Sequence, residues 1–206
     1  MKSTKYDRQE AIHNATNLFW TNGFHATSMR NIQQAIDMRP GSIYASFGSK
    51  EGLYKEAMQH YTAMSKARLI ASVAASASPF EGLKQFIKNA VVGGQTCAPS
   101  NLCMLVKTIS ELTDDNAELL AEAKHLLQEM ESAFASILVK AQQQDEVDTT
   151  RSPARLARYL QVQLMGLRAY ARTNTDVEQL NDLIDDVFDN LAKSAHSPKV
   201  TLKNAR

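Results

Sequence analysis

A chain of 206 residues, 44% hydrophobic and 22% charged, has the make-up of an ordinary globular protein that can bury a core in one or two domains. It holds no apolar run near the ~20 residues of a membrane span, its opening MKSTKYDRQEAIHNA lacks the apolar stretch of a signal peptide, and two cysteines are too few for a disulfide framework. Membrane-spanning, exported and disulfide-stapled classes are thereby set aside, and a cytoplasmic location is expected. The net charge of +1 hides an asymmetry: residues 1–70 hold nine Lys/Arg against five Asp/Glu, and the remainder 14 against 17. A mildly basic N-terminal third on an acidic body suits a nucleic-acid reader joined to a partner domain.

The apolar stripe Ala11, Ile12, Ala15, Leu18, Phe19 predicts a first helix over 5–22, stopped at Asn22-Gly23, with Trp20 beside the stripe as packing. Met29, Ile32 and Ile36 mark one face of a second helix, for which Thr27 is placed as N-cap. Asp37 occupies the following turn, being one of the few non-glycine residues that tolerate a left-handed conformation. Pro40 suits the first turn of a third helix that keeps Ile43 and Phe47 for the core. Its other face carries Gly41, Ser42, Tyr44, Ala45 and Ser46, small enough for a major groove. Ser49 then caps a fourth helix from Lys50 towards Ser76, and free N–H groups, helix dipole and ammonium together form an expected phosphate clamp.

The pattern A-x-x-L-F-x-x-x-G-F-x-x-T-S, then I-x-x-A-I, then G-S-I-Y-x-x-F-x-S-K-E-G-L-Y resembles the N-terminal domain of TetR-family transcriptional repressors over about residues 5–65. The resemblance implies an all-α homodimer that is not an enzyme. Residues 5–65 would bind double-stranded operator DNA through a helix-turn-helix at about 28–47. Residues 66–195 would hold a small-molecule inducer cavity and the dimer contact, and 196–206 would be a polar tail. By the same resemblance Arg30, Gly41, Ser42, Tyr44, Ala45 and Ser46 face DNA, Tyr44 and Lys50 at positions that touch phosphate. Arg39 is assigned a further base or phosphate contact. Asp37 departs from the family, which usually has glycine in that turn.

Beyond the SASP break at 76–79, helices are expected over about 80–92, 102–112, 115–144, 153–172 and 176–195, with a loop over 95–101. Val177, Leu180, Ile184, Val187 and Leu191, widened by Leu183 and Phe188, form a seam, matched by Leu156, Leu160, Leu164, Leu167 and Ala171. Periodicity does not distinguish a core face from a partner face. A short recognition helix reads few bases and gains specificity by pairing half-sites of a palindrome. That logic, with the resemblance, assigns helices 153–172 and 176–195 to a four-helix dimer interface. Candidates for the cavity are Leu102, Cys103, Val106, Met130, Phe134, Met165 and Tyr170, soft or amphipathic side chains suited to an apolar pocket.

Cys103 near a helix N-terminus, Lys107 one turn on and Cys97 across the loop suggest a rival thiol-based redox or electrophile sensor. Glu118, Glu122, His125 and Glu129 share one helix face, but no matching ligand pair accompanies them, so they read as solvated rather than metal-binding. Asp182, Asp185, Asp186 and Asp189 read as the wet side of the last helix. The two rivals from other classes are a helical enzyme and a protein-interaction module. No paired-histidine motif, Gly-rich phosphate loop or nucleophile elbow supports the enzyme, and no cofactor is expected. An interaction module makes no demand for Arg30, Tyr44 and Lys50 together.

Overall fold

The computed structural model describes residues 7–93, 99–100 and 102–193. Nine α-helices run through them: α1 Arg8–Asn22, α2 Met29–Ile36, α3 Pro40–Phe47, α4 Lys50–Ala74, α5 Pro79–Lys88, α6 Met104–Glu111, α7 Ala117–Gln143, α8 Pro153–Tyr170 and α9 Val177–Asp189. Among the described residues the single extended pairing is an antiparallel bridge between Val147 and Ala192, so the all-α expectation stands.

The N-terminal helices are set by their ends. Asp7 caps α1 by accepting from the Gln9 amide at 2.9 Å. The second cap corrects the sequence reading: Ser28, not Thr27, is the N-cap of α2. Its hydroxyl accepts from the Asn31 amide at 3.2 Å while the Asn31 side chain accepts from the Ser28 amide at 2.9 Å, a reciprocal box. Thr27 is buried, its hydroxyl donating to the Gly23 carbonyl at 2.6 Å to tie off the turn. Asp37 adopts φ 50, ψ 46, the left-handed stop expected of it. Pro40 opens α3, and Ser49 opens α4 by accepting from the Gly52 amide at 3.0 Å.

Further along, α5 is shorter than expected and widens into a π-turn over Asn89–Gly93. Cys103 is the N-cap of α6, which begins at Met104 rather than at the Leu102 start read from sequence. A short 3₁₀ turn, Asp114–Asn116, separates α6 from α7. Ser152 and Asp176 cap α8 and α9 as expected. Cys97, most of the 95–101 loop and the 196–206 tail lie outside the described residues.

Two cores result, and α4 enters both. The first gathers Ile12, Phe19, Ile32, Ile43, Leu53 and Tyr54, and is completed by Met104 and Leu105 of α6 and Leu119 and Leu126 of α7. The second joins Leu69 of α4 to Leu83, Phe134, Leu138, Leu160 and Phe188. The three N-terminal helices therefore close their core on segments some eighty residues downstream.

The C-terminal seam is corrected here. Leu156, Leu160, Leu167, Ala171, Leu180, Ile184, Val187, Phe188 and Leu191 are all buried within their own chain, and Leu164 packs against the same core. The apolar residues these two helices turn outward are Val162, Tyr170, Val177 and Leu183, four of the seven large hydrophobics exposed in the described residues. Asp185 is not simply wet either: its carboxylate meets Lys84 at 3.0 Å and Lys88 at 3.1 Å, tying α9 to α5.

Tyr54 on α4 shares a 2.6 Å hydrogen bond with the Thr108 hydroxyl on α6. Burial pushes its phenol up to about 12 from an ordinary 10. Because the folded-state value lies above the unfolded one, the neutral phenol's stabilisation is complete below pH 10 and lost as pH rises through about 12. The loss amounts to about 3 kcal/mol at 1.36 kcal/mol per unit. Urea titrations at pH 9 and 11.5 should show about 2 kcal/mol of this loss, and Tyr54→Phe should shrink it. Equal alkaline sensitivity in the variant would remove Tyr54 as its source.

Candidate nucleic-acid interface and internal cavity

The helix-turn-helix face is laid out by α2 and α3. Ile32, Ile36, Ile43 and Phe47 are buried beneath it, while Arg30, Arg39, Gly41, Ser42, Tyr44 and Ala45 are exposed and Ser46 is half-buried. Tyr44 stands out at 51% exposure, and among the described residues its ring stacks on no other aromatic side chain. Arg30 and Arg39 take no ion pair among the described residues. The face is made mostly of small residues and flanked by two arginines, a composition that admits close approach of a polyanion.

Lys50 is placed less simply. Its ammonium lies over the Phe24 ring, 4.3 Å from the centroid, and desolvation there lowers its pKa, with Glu51 and Glu111 opposing. The amides of Lys50 and Glu51 at the start of α4 donate to no acceptor among the described residues. Sequence reasoning missed Arg8, which pairs with Glu56 at 2.7 Å and lies 5.1 Å from the Phe47 ring, pinning α1 to the end of α3.

Behind this face, α6 fastens the N-terminal helices to the rest. The Glu111 carboxylate accepts from the backbone amides of Phe24 at 3.0 Å and His25 at 2.6 Å. Gly23 allows this approach: its φ is +88, and a Cβ there would stand 2.4 Å from Glu111 Oε2. Lys107 donates to the Thr21 carbonyl at 2.6 Å, and Trp20 Nε1 donates to the Leu102 carbonyl at 2.6 Å. Lys107 is thus turned to the end of α1 and is not spent on the Cys103 thiol. No sequence signal marks the Glu111 contact, because its partners are backbone donors.

A cavity of about 1030 Å³ lies between α1, α4, α5, α6, α7 and α8. Cys103, Val106, Met130, Phe134 and Met165 line it; Leu102 and Tyr170 do not. Leu102 spends its carbonyl on Trp20, and Tyr170, at the last turn of α8, points outward. Sequence reasoning missed the polar wall: Arg168 and Gln161 on α8, Tyr61 and Arg68 on α4, and His13 and Asn17 on α1. Arg168 donates to the Tyr61 hydroxyl at 3.3 Å. Burial, with the Cys103 thiol beside it, pushes the Tyr61 phenol well above its ordinary range. The i, i+3, i+4, i+7 spacing of Gln161, Leu164, Met165 and Arg168 could have flagged a third stripe on α8.

The carboxylate face on α7 is engaged structurally. Glu122 accepts from Gln59 at 2.7 Å, and Glu129 meets Lys66 at 2.5 Å and His125 at 3.1 Å, closing α7 on α4. No group of three or more metal-ligating side chains is found among the described residues, nor any helix long and apolar enough to cross a membrane.

Comparison with known proteins agrees with this layout. Residues 11–57 match the bacterial regulatory proteins of the tetR family, and residues 79–187 match the tetracyclin repressor-like C-terminal domain. The HTH-type transcriptional regulator YezE of Bacillus subtilis is 24% identical over 89% of this chain and 95% of its own. The HTH-type transcriptional repressor ComR of Escherichia coli is 25% identical over 85% and 84%. Among solved structures, the TetR-family regulator CifR in complex with a 26 bp double-strand operator superimposes with a TM-score of 0.79 at 23% identity, covering 91% of this chain and 98% of that one. A DNA-reading unit in α1–α3, closed by its core onto a helical body with its own matched domain, is the organisation of a non-enzymatic transcription regulator, and the chain belongs to the tetR family of bacterial regulatory proteins.

Proposed function

We propose that the protein is a cytoplasmic repressor that binds a palindromic operator as a homodimer and is released by a small molecule in the central cavity. Residues 5–65 act as the reader and 66–195 as the sensing and pairing body. The observation that carries the reading is the strap formed by α6. Cys103, Leu105 and Val106 at its start line the cavity, and Glu111 at its end holds the turn before α2. A ligand that favours another seat for this helix shifts the reader by its differential affinity for the two states and no further. The carboxylate grip makes α6 the lever, with α4 as the frame both ends lean on.

In the complex, α3 enters the major groove with Gly41, Ser42, Ala45 and Ser46 towards base edges. Tyr44, Arg30, Arg39 and the α4 start at Lys50 hold phosphates. Lys50 leaves the Phe24 ring to do so. The test is a gel shift on DNA upstream of the protein's own gene. Tyr44→Ala should weaken binding at least tenfold. Lys50→Ala should weaken it similarly and lower the log–log salt slope by about 2 per dimer, one phosphate per subunit. No binding by the native protein, or no effect of either change, would overturn the reading.

The pairing face proposed is the outward side of α8 and α9. Val162 at 62% exposure, Gly166, where an added Cβ would meet nothing within 4 Å, and Tyr170 lie along one side of α8, with Leu183 on α9. Val162→Asp should convert a dimer to a monomer by light scattering and cost the operator affinity that paired half-sites supply. An unchanged mass would place the interface elsewhere. The thiol-sensor alternative through Cys103 loses its cationic neighbour, since Lys107 is committed to the α1 carbonyls.

A further inference from the structure

The cavity is uniform in the sign of its charge. All 22 aspartate and glutamate residues lie among the described residues, and none of their side chains lines it, whereas Arg68, Arg168 and His13 do. Arg168 is only 8% exposed, so its guanidinium acts where water screens it little. It donates to the Tyr61 oxygen, and the phenol's own proton has only the Cys103 sulfur beside it, a weak acceptor that a carboxylate oxygen outcompetes. The raised Tyr61 pKa keeps that proton in place. A guanidinium and a phenol O–H side by side form a two-donor fork of the kind a carboxylate fills.

A second polar demand sits on the same helix. Gln161, 9% exposed, lines the cavity with a buried Oε1 that has no hydrogen-bond partner among the described residues. A buried acceptor left unmet is costly, so a ligand offering a hydroxyl there is favoured. Gln161 and Arg168 are seven residues apart, two turns on one face and about 10 Å along the axis. Between and around them the wall is Phe86, Phe134, Met130 and Leu164.

We propose that the cavity takes an amphipathic organic anion: a carboxylate at Arg168 and Tyr61, an apolar body, and a hydroxyl about two helical turns away at Gln161. The proposal rests on the reading of this cavity as the signal site, and it excludes organic cations as ligands of comparable strength.

Trp20, the sole tryptophan, lines the cavity and reports its occupancy by fluorescence. The full chain, free of DNA, is titrated with decanoate, 10-hydroxydecanoate, decanamide and decyltrimethylammonium, each below its micelle-forming concentration. Decanoate should bind at least tenfold more tightly than the amide or the cation, and 10-hydroxydecanoate more tightly still, by about threefold. Arg168→Gln should bring decanoate and decanamide within about twofold while decanamide still binds, which shows the cavity intact. Gln161→Leu should erase only the gain from the hydroxyl. Failure of both carboxylates to bind, equal or tighter binding of the cation, or a carboxylate preference that survives Arg168→Gln would overturn the proposal. Gel shifts with the same four compounds separate the two readings. Carboxylate binding without operator release upholds the anion site and sinks the signal-site reading; release by the cation with no carboxylate preference does the reverse.

Discussion

Gly52→Ala should abolish operator binding, weakening it at least a hundredfold, and lower stability by about 3 kcal/mol or more. A Cβ at residue 52 would stand 2.1 Å from the Phe47 carbonyl oxygen, the last carbonyl of α3, and 3.3 Å from its carbon. Neither atom is the free end of a side chain, so backbone must move. The backbone that moves belongs to the recognition helix, because α4 is anchored by Leu53, Tyr54, Ala57 and Met58, all buried. Urea unfolding and a gel shift measure the two losses. Gly41→Ala is the control that makes them interpretable: a Cβ there meets nothing within 4 Å, and alanine favours a helix by up to ~1 kcal/mol. Any loss of operator binding in Gly41→Ala with stability kept or raised then reports contact with DNA. If Gly52→Ala folds and binds as the native protein does, the turn between α3 and α4 is softer than its geometry indicates.

Glu111→Ala should free the reader without blinding it. Two backbone amides, of Phe24 and His25, lose a charged acceptor, and hydrogen bonds to charged groups contribute about 1.5–3 kcal/mol each when well formed. The site is half-open to water, so a total near 2 kcal/mol is expected. Hydrogen exchange at these two amides should accelerate at least tenfold, and operator binding should persist within a few-fold because Glu111 lies off the α3 face. Glu111→Gln, which retains one neutral acceptor, should fall between. Unchanged exchange at Phe24 and His25 would remove α6 as the connection between body and reader.

The N-terminal helices were legible because each is fixed by residues close in sequence. Gly23, Asp37, Pro40 and Ser49 are local devices, and all four occupy the positions read for them. Thr27 and Ser28 were exchanged for a physical reason: both can cap, and only the Asn31 side chain reaching back decides between them. The C-terminal seam was seen but turned the wrong way. Helix α8 turns one side to the core, one to the cavity and one outward, and a period of 3.6 finds stripes without naming what lies against them. The cavity's polar wall went unread because Arg168 and Gln161 look like surface residues until α4 and α7 close over them. Glu111 could not be found at all by side-chain pairing, its partners being N–H groups 86 and 87 positions away.

The three-sided helix α8 has a consequence for how such a protein can diverge. Gln161 looks into the cavity and its neighbour Val162 looks out of the molecule, while Leu160 is held in the core. With the ligand and the pairing face placed as proposed, one helical turn would carry chemical taste, self-recognition and structural integrity on separate side chains. After a gene duplication, a copy could change what it answers to at 161, 165 or 168 while keeping its partner preference. It could equally stop pairing with its sister through 162, 166 or 170 while answering the same molecule. Adjacent codons would drift under unrelated pressures, and only the intervening leucines would have to stay still.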